Sequence, residues 1–224
     1  MGNYKRVISF GAHPLDAELQ GGPMIIRYSE RGAKCTFVHM TKGRLTDPKA
    51  TEEEKKAYEE KLLQEMQECD TAMGGDCKLL GYTAATLPNE EDMIHWIMDY
   101  LKEEKADCVI THARGTLHQR HYYTYETVTE AVRRLQKEGV QIRLYYGENC
   151  EDLAGFIPSV YVSQTQSELD RWFDALRHYT IFNGGVNTMP YYEYYHAMAI
   201  IHAVEAGGGP YAKAYMQAAI LDNE

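Results

Sequence analysis

Apolar and polar positions along the chain fall into two kinds of block. Val7-Ile8-Ser9-Phe10, Cys35-Thr36-Phe37-Val38-His39-Met40 and Cys108-Val109-Ile110-Thr111 are short runs rich in β-branched and apolar residues. Such runs predict buried strands. Weaker runs over 76–80, 141–146 and 160–162 predict three more. Between them, apolar residues recur at helical spacing. A helix is expected over 16–29, with Gly21-Gly22-Pro23 predicting a late start. Another is expected over 51–73, opened by Thr51 and Glu54 as a capping box. Asn89 caps a helix that runs through Met93, Ile94, Ile97 and Leu101, and further helices are expected over 123–137, 167–179 and 191–206.

Strands that alternate with helices imply βαβ units. The expected fold is therefore α/β: a Rossmann-like three-layer arrangement, a mainly parallel sheet flanked by helices, with right-handed crossovers. A chain of 224 residues fits one domain over 1–224, the helical part after about residue 165 packing on the same body. No repeat or low-complexity linker divides it.

Charge and composition narrow the function. Acidic residues outnumber basic ones 33 to 23, and the resulting negative field disfavours nucleic acid and anionic membrane as partners. No apolar run approaches the roughly 20 residues of a membrane span. Five cysteines are scattered, and no two are separated by only two residues. That pattern fits a reduced, cytoplasmic chain without a disulfide framework or a cysteine zinc site. The partner expected is a small molecule. Tyrosines are many, and Tyr191, Tyr192, Tyr194 and Tyr195 cluster before His196. They fit helix packing or a homo-oligomer contact better than a sugar platform. Tyr122, Tyr123 and Tyr125 are expected near the mouth of any site built at residues 118–121.

Candidate chemistry sits where strands end, the usual ligand edge of an open α/β sheet. The first strand runs into Gly11-Ala12-His13-Pro14-Leu15-Asp16. His and Asp three apart, with Pro14 stiffening the turn, are a metal-ligand spacing. The same residues also fit a turn histidine and an aspartate N-cap. The glycines do not form GxGxxG, so a dinucleotide site has little support. The fourth strand runs into His112, then His118-Gln119-Arg120-His121. A lone His-x-x-His carries little. Two histidine motifs at the ends of strands that commonly flank the topological switch point carry more, and would let His121 join His13 and Asp16 in a two-histidine, one-carboxylate site.

Ala12–Leu19, AHPLDAEL, resembles the AHPDDAEL motif of the PIG-L, or LmbE-like, zinc-dependent N-deacetylases, and His118–His121, HQRH, resembles their HPDH. MTKGR at 40–44, Leu80-Gly81-Tyr82, the Asp107–His112 strand, Leu176-Arg177-His178 and Tyr211-Ala212-Lys213-Ala214-Tyr215 are similar to further family segments in the same order. The resemblance implies a hydrolase that removes an acyl group from an N-acetyl amino sugar or another N-acyl small molecule. It implies zinc on His13, Asp16 and His121, although iron(II) suits the same donors, and His118 as the catalytic residue that stabilises the oxyanion. It leaves the substrate-binding residues unidentified. The family's general base, the first motif aspartate, is Leu15 here, and its HPDH aspartate is Arg120. Thr83 and Ala84 stand where its Pro-Asp follows LGY. Loss of a positioned base costs about 10²- to 10⁴-fold. A weakly active or inactive metal-binding homologue that holds a sugar or carboxylate is therefore the alternative. His118 is the better substitute base, and Glu18 the weaker one.

Overall fold

The computed structural model describes residues 2–45 and 47–219. Its seven strands form one sheet in the order β3-β2-β1-β4-β5-β7-β6. These are β1 (Arg6–Gly11), β2 (Lys34–Thr41), β3 (Asp76–Tyr82), β4 (Cys108–Thr111), β5 (Arg143–Gly147), β6 (Val160–Gln164) and β7 (Tyr211–Gln217). The first five pair in parallel, whereas β7 runs antiparallel to both β5 and β6. Six helices lie among the described residues: α1 (Asp16–Glu30), α2 (Glu52–Met73), α3 (Glu90–Glu103), α4 (Gln119–Lys137), α5 (Gln166–Leu176) and α6 (Tyr191–Glu205). The mainly parallel α/β architecture expected from the sequence is present.

Both sheet faces are covered, which is why β1 is buried at every position rather than alternating. On one face Ile25, Met66, Trp172 and Tyr195, from α1, α2, α5 and α6, join a core with Val7 and Phe37. On the other, Ile97, Leu101, Val128 and Leu135 of α3 and α4 pack on Ile8, Phe10 and Val109. The chain lays down β1, β2 and β3 in one direction, then returns to place β4 on the free side of β1. The C-terminal ends of β1 and β4 are thus neighbours at the point where strand order reverses.

Three elements depart from the sequence expectation. Helix α1 does not start late; it runs from Asp16 straight through Gly21, Gly22 and Pro23. The glycines serve close packing. A Cβ on Gly21 would lie 2.3 Å from Ser9 Oγ, and one on Gly22 would lie 2.6 Å from the Trp172 ring. Helix α4 begins at Gln119, four residues ahead of expectation, and so carries His121 in its first turn. Strand β7 was not anticipated, because Lys213 interrupts its apolar pattern.

Lys213 is buried and answered locally. Its Nζ donates to the Glu148 carbonyl oxygen at 2.8 Å and to Glu148 Oε2 at 3.2 Å, and stands 4.7 Å from the Tyr195 ring centre. Burial alone would raise the Glu148 carboxyl; Lys213 and His202 reverse this and hold it down at about 2. A carboxyl depressed in the folded state adds stability above its ordinary 4.5, lost as pH falls through about 2. Glu148→Gln should therefore cost about 3–5 kcal/mol at pH 7 by leaving a buried ammonium unanswered. It should also flatten the acid limb of stability between those pH values. Denaturant titrations at pH 7 and pH 3 measure both effects; equal losses at the two pH values would refute the ion-pair account.

Candidate metal centre

At the switch point the chain turns sharply after β1. Leu15 adopts φ 86°, left-handed and costly for a leucine, and its side chain enters the core. That turn presents His13 and Asp16 together. Asp16 is not the helix cap, since Leu15 occupies that position and no side chain caps the helix. Instead Asp16 Oδ2 accepts from the His13 backbone N–H at 2.8 Å and lies 3.0 Å from His13 Nδ1. Its Oδ1 accepts from Asn149 Nδ2 at 3.2 Å.

The first turn of α4 brings His121 across from β4. Its Nε2 lies 3.3 Å from Asp16 Oδ2 and 3.2 Å from His13 Nδ1. The three expected donor atoms thus form a near-equilateral triangle with edges of 3.0, 3.2 and 3.3 Å. A tetrahedral zinc with bonds of about 2.0–2.1 Å spaces its donors by about 3.3 Å. Donor chemistry and spacing both fit such an ion.

A second layer orients these donors. Asp152 accepts from His121 Nδ1 at 2.9 Å through one oxygen and from His112 Nδ1 at 2.6 Å through the other. Because the Nδ1 proton of His121 faces Asp152, its Nε2 lone pair is free toward the triangle. His112 Nε2 is already engaged, accepting from the Ala12 N–H at 3.0 Å, so His112 supports rather than joins the triangle. His112 was read from the sequence only as the residue that follows the fourth strand, and Asp152 was not singled out. The available signal was the polar run Glu148-Asn149-Cys150-Glu151-Asp152 directly after β5, on the same edge of the sheet.

Burial penalises the Asp16 carboxylate, but His121, by charge and hydrogen bond, and then His13 overcome it and hold its pKa well below the usual range. Burial likewise opposes a charged His121, yet Asp16 and Asp152 raise it to about 10. A proton on His121 therefore competes with any cation for the same lone pair.

His118 stacks on His121 with ring centres 4.5 Å apart and meets the His13 ring edge-on at 4.7 Å. Burial, then the charges of His121 and His13, lower its pKa to about 4. Its imidazole is thus neutral at pH 7. Arg120 Nε donates to His13 Nε2 at 2.7 Å. Glu151 is half exposed, with Oε2 3.8 Å from His121 Nε2.

Several expected residues lie elsewhere. Glu18 is fully buried, bonded by the Tyr179 hydroxyl and 3.9 Å from His39, which removes it as a base. Tyr123 and Tyr125 pack into the α3–α4 core, Tyr123 donating to the Pro88 carbonyl oxygen. Tyr195 is core, and Tyr191 and Tyr194 pack against it, as the helix-packing expectation had it.

An α/β sheet with a histidine–aspartate donor triangle at its switch point defines a class of candidate metal-binding α/β enzymes. The sequence profile of the PIG-L family, described as GlcNAc-PI de-N-acetylase, matches residues 8–132, and the chain belongs to that family of deacetylases, which are amide hydrolases. No curated protein matches. Among solved structures the fold is similar to GalB, the 4-carboxy-2-hydroxymuconate hydratase from Pseudomonas putida, with TM-score 0.80, 14% identity and 98% of each chain covered. It is also similar to a conserved protein from Thermus thermophilus, with TM-score 0.76, 19% identity and 99% and 97% of the two chains covered. A third is N,N'-diacetylchitobiose deacetylase from Pyrococcus horikoshii, with TM-score 0.75, 18% identity and 96% and 84% covered. Hydratase and deacetylase share this fold, so the reaction must be argued from the site. No described helix is long and apolar enough to cross a membrane.

Proposed function

We propose that this chain is a metal-dependent hydrolase of an N-acyl small molecule, with an N-acetyl amino sugar as one candidate substrate. In this reading His13, Asp16 and His121 hold one divalent ion, zinc first and iron(II) as the alternative the donors admit. The observation that carries it is the donor triangle, with Asp152 holding the far nitrogen of His121. The ion, when bound, polarises an acyl carbonyl and acidifies a coordinated water.

The protein's own groups supply the rest. His118, neutral and beside the triangle, donates a hydrogen bond to the oxygen that gains charge as the carbonyl is attacked. Leu15 can neither take a proton nor orient water. Glu151, half exposed with its carboxylate 3.8 Å from His121 Nε2, is the group assigned here to accept the proton of the attacking water, a role first sought in His118. The chain acts as one domain, supported by β6 and β7 completing the same sheet. The cytoplasm is its proposed compartment, supported by five free cysteines.

Protein purified without added metal should carry about one zinc or iron per chain. It should release acetate from an N-acetyl substrate, stop after chelation, and recover on adding zinc. Full hydrolysis in a chelated, metal-free sample would end this reading. A second reading rests on the buried Leu15: the ion is held but little hydrolysis occurs. It predicts bound metal with no acetate released.

A further inference from the structure

We propose that Arg120 is a carboxylate-binding residue, and that the natural substrate is an N-acyl compound carrying a carboxylate; this rests on the hydrolase reading above. Arg120 lies in the first turn of α4, one residue before His121, and is partly exposed beside His13. Among the described residues no carboxylate lies within ion-pair distance of Arg120, and its guanidinium makes one hydrogen bond, to His13 Nε2.

That bond conflicts with the chemistry of the centre. A neutral imidazole has one N–H and one lone pair. When His13 Nδ1 turns its lone pair to a cation, Nε2 carries the hydrogen. Two N–H donors would then face each other across 2.7 Å. Arg120 loses its acceptor in the metal-loaded protein, yet a guanidinium cannot shed its charge. It is then a permanent cation with unfilled fork donors at the rim of a cationic centre. An anion between the two relieves both the repulsion and the missing acceptor. A carboxylate matches the fork in two parallel hydrogen bonds. The centre would thus bind the acyl group while Arg120 binds the acid.

The carboxylate can belong to an acylated amino acid or to an acidic amino sugar, and paired probes separate the two. Binding to the zinc-loaded full chain is measured by calorimetry for N-acetylglycine against N-acetylglycinamide, and for N-acetylmuramic acid against N-acetylglucosamine. In at least one pair the acid should bind about 10- to 100-fold more tightly, the size expected of hydrogen bonds between charged groups. The pair that shows the preference identifies the source. Arg120→Gln should bring that pair to parity with zinc content unchanged, and Arg120→Lys should keep part of the preference. Parity in the natural protein overturns the proposal. So does a preference that survives Arg120→Gln, which would place the carboxylate on the metal itself. Zinc content keeps the two readings apart. A zinc-bound chain without preference overturns this inference alone, whereas a chain that takes up no zinc overturns the hydrolase reading and this inference with it.

Discussion

Replacing Leu15 with aspartate is expected to raise N-acyl hydrolysis by about 10²- to 10⁴-fold, the range a positioned general base contributes. Position 15 immediately precedes Asp16 in the turn that builds the centre. The backbone favours the change: at φ 86° aspartate tolerates the left-handed region better than leucine. Packing opposes it. Leu15 is 2% exposed within the core, and removing it forfeits about 1.5–3 kcal/mol of burial. The variant should therefore be faster and less stable, with unchanged metal content. Initial rates, a denaturant titration and elemental analysis read these three effects. An unchanged rate in a metal-loaded, folded variant would mean that the natural chain already has an adequate base. Glu151→Gln would then be the substitution that lowers the rate.

The two strands that lead into the triangle were legible because each is a short, mostly apolar run followed by polar residues. The pairing of β1 with β4 followed from the reversal of strand order that a parallel sheet of this size makes. That arrangement would let His121 meet His13 and Asp16, and the family resemblance named the same three residues. Residues whose roles depend on tertiary neighbours were not legible. Asp152 is an ordinary loop aspartate in the sequence, and only the approach of β5 to β4 sets it between His112 and His121. Gly21 and Gly22 read as helix breakers because local propensity cannot show that Ser9 and Trp172 press against them. Strand β7 was hidden by Lys213, whose buried charge is answered by Glu148 and the Tyr195 ring. Glu18 was proposed as a base from proximity in sequence. Helical geometry turns it two residues on from Asp16 into the core, toward His39 and Tyr179.

His121→Ala should abolish metal retention and lower hydrolysis by about 10³- to 10⁵-fold, the several kcal/mol that a Lewis-acidic ion contributes. The effect should exceed that of any rim residue, because His121 links two layers. It supplies one corner of the triangle and is the group through which Asp152 acts. Asp152→Asn tests that link by degree. An asparagine can offer only one oxygen where the aspartate now serves two histidines, so one imidazole loses its orienting acceptor. Metal affinity should fall by about 10- to 100-fold without vanishing. Affinity should also rise with pH in the natural protein, because the proton that Asp16 and Asp152 hold on His121 must leave before a cation binds. Competition titration with a chromophoric chelator across about pH 6–9 measures all three. If His121→Ala kept its ion while Asp152→Asn lost it, the ion would be held by Asp152 and His112, and the triangle would not be the centre.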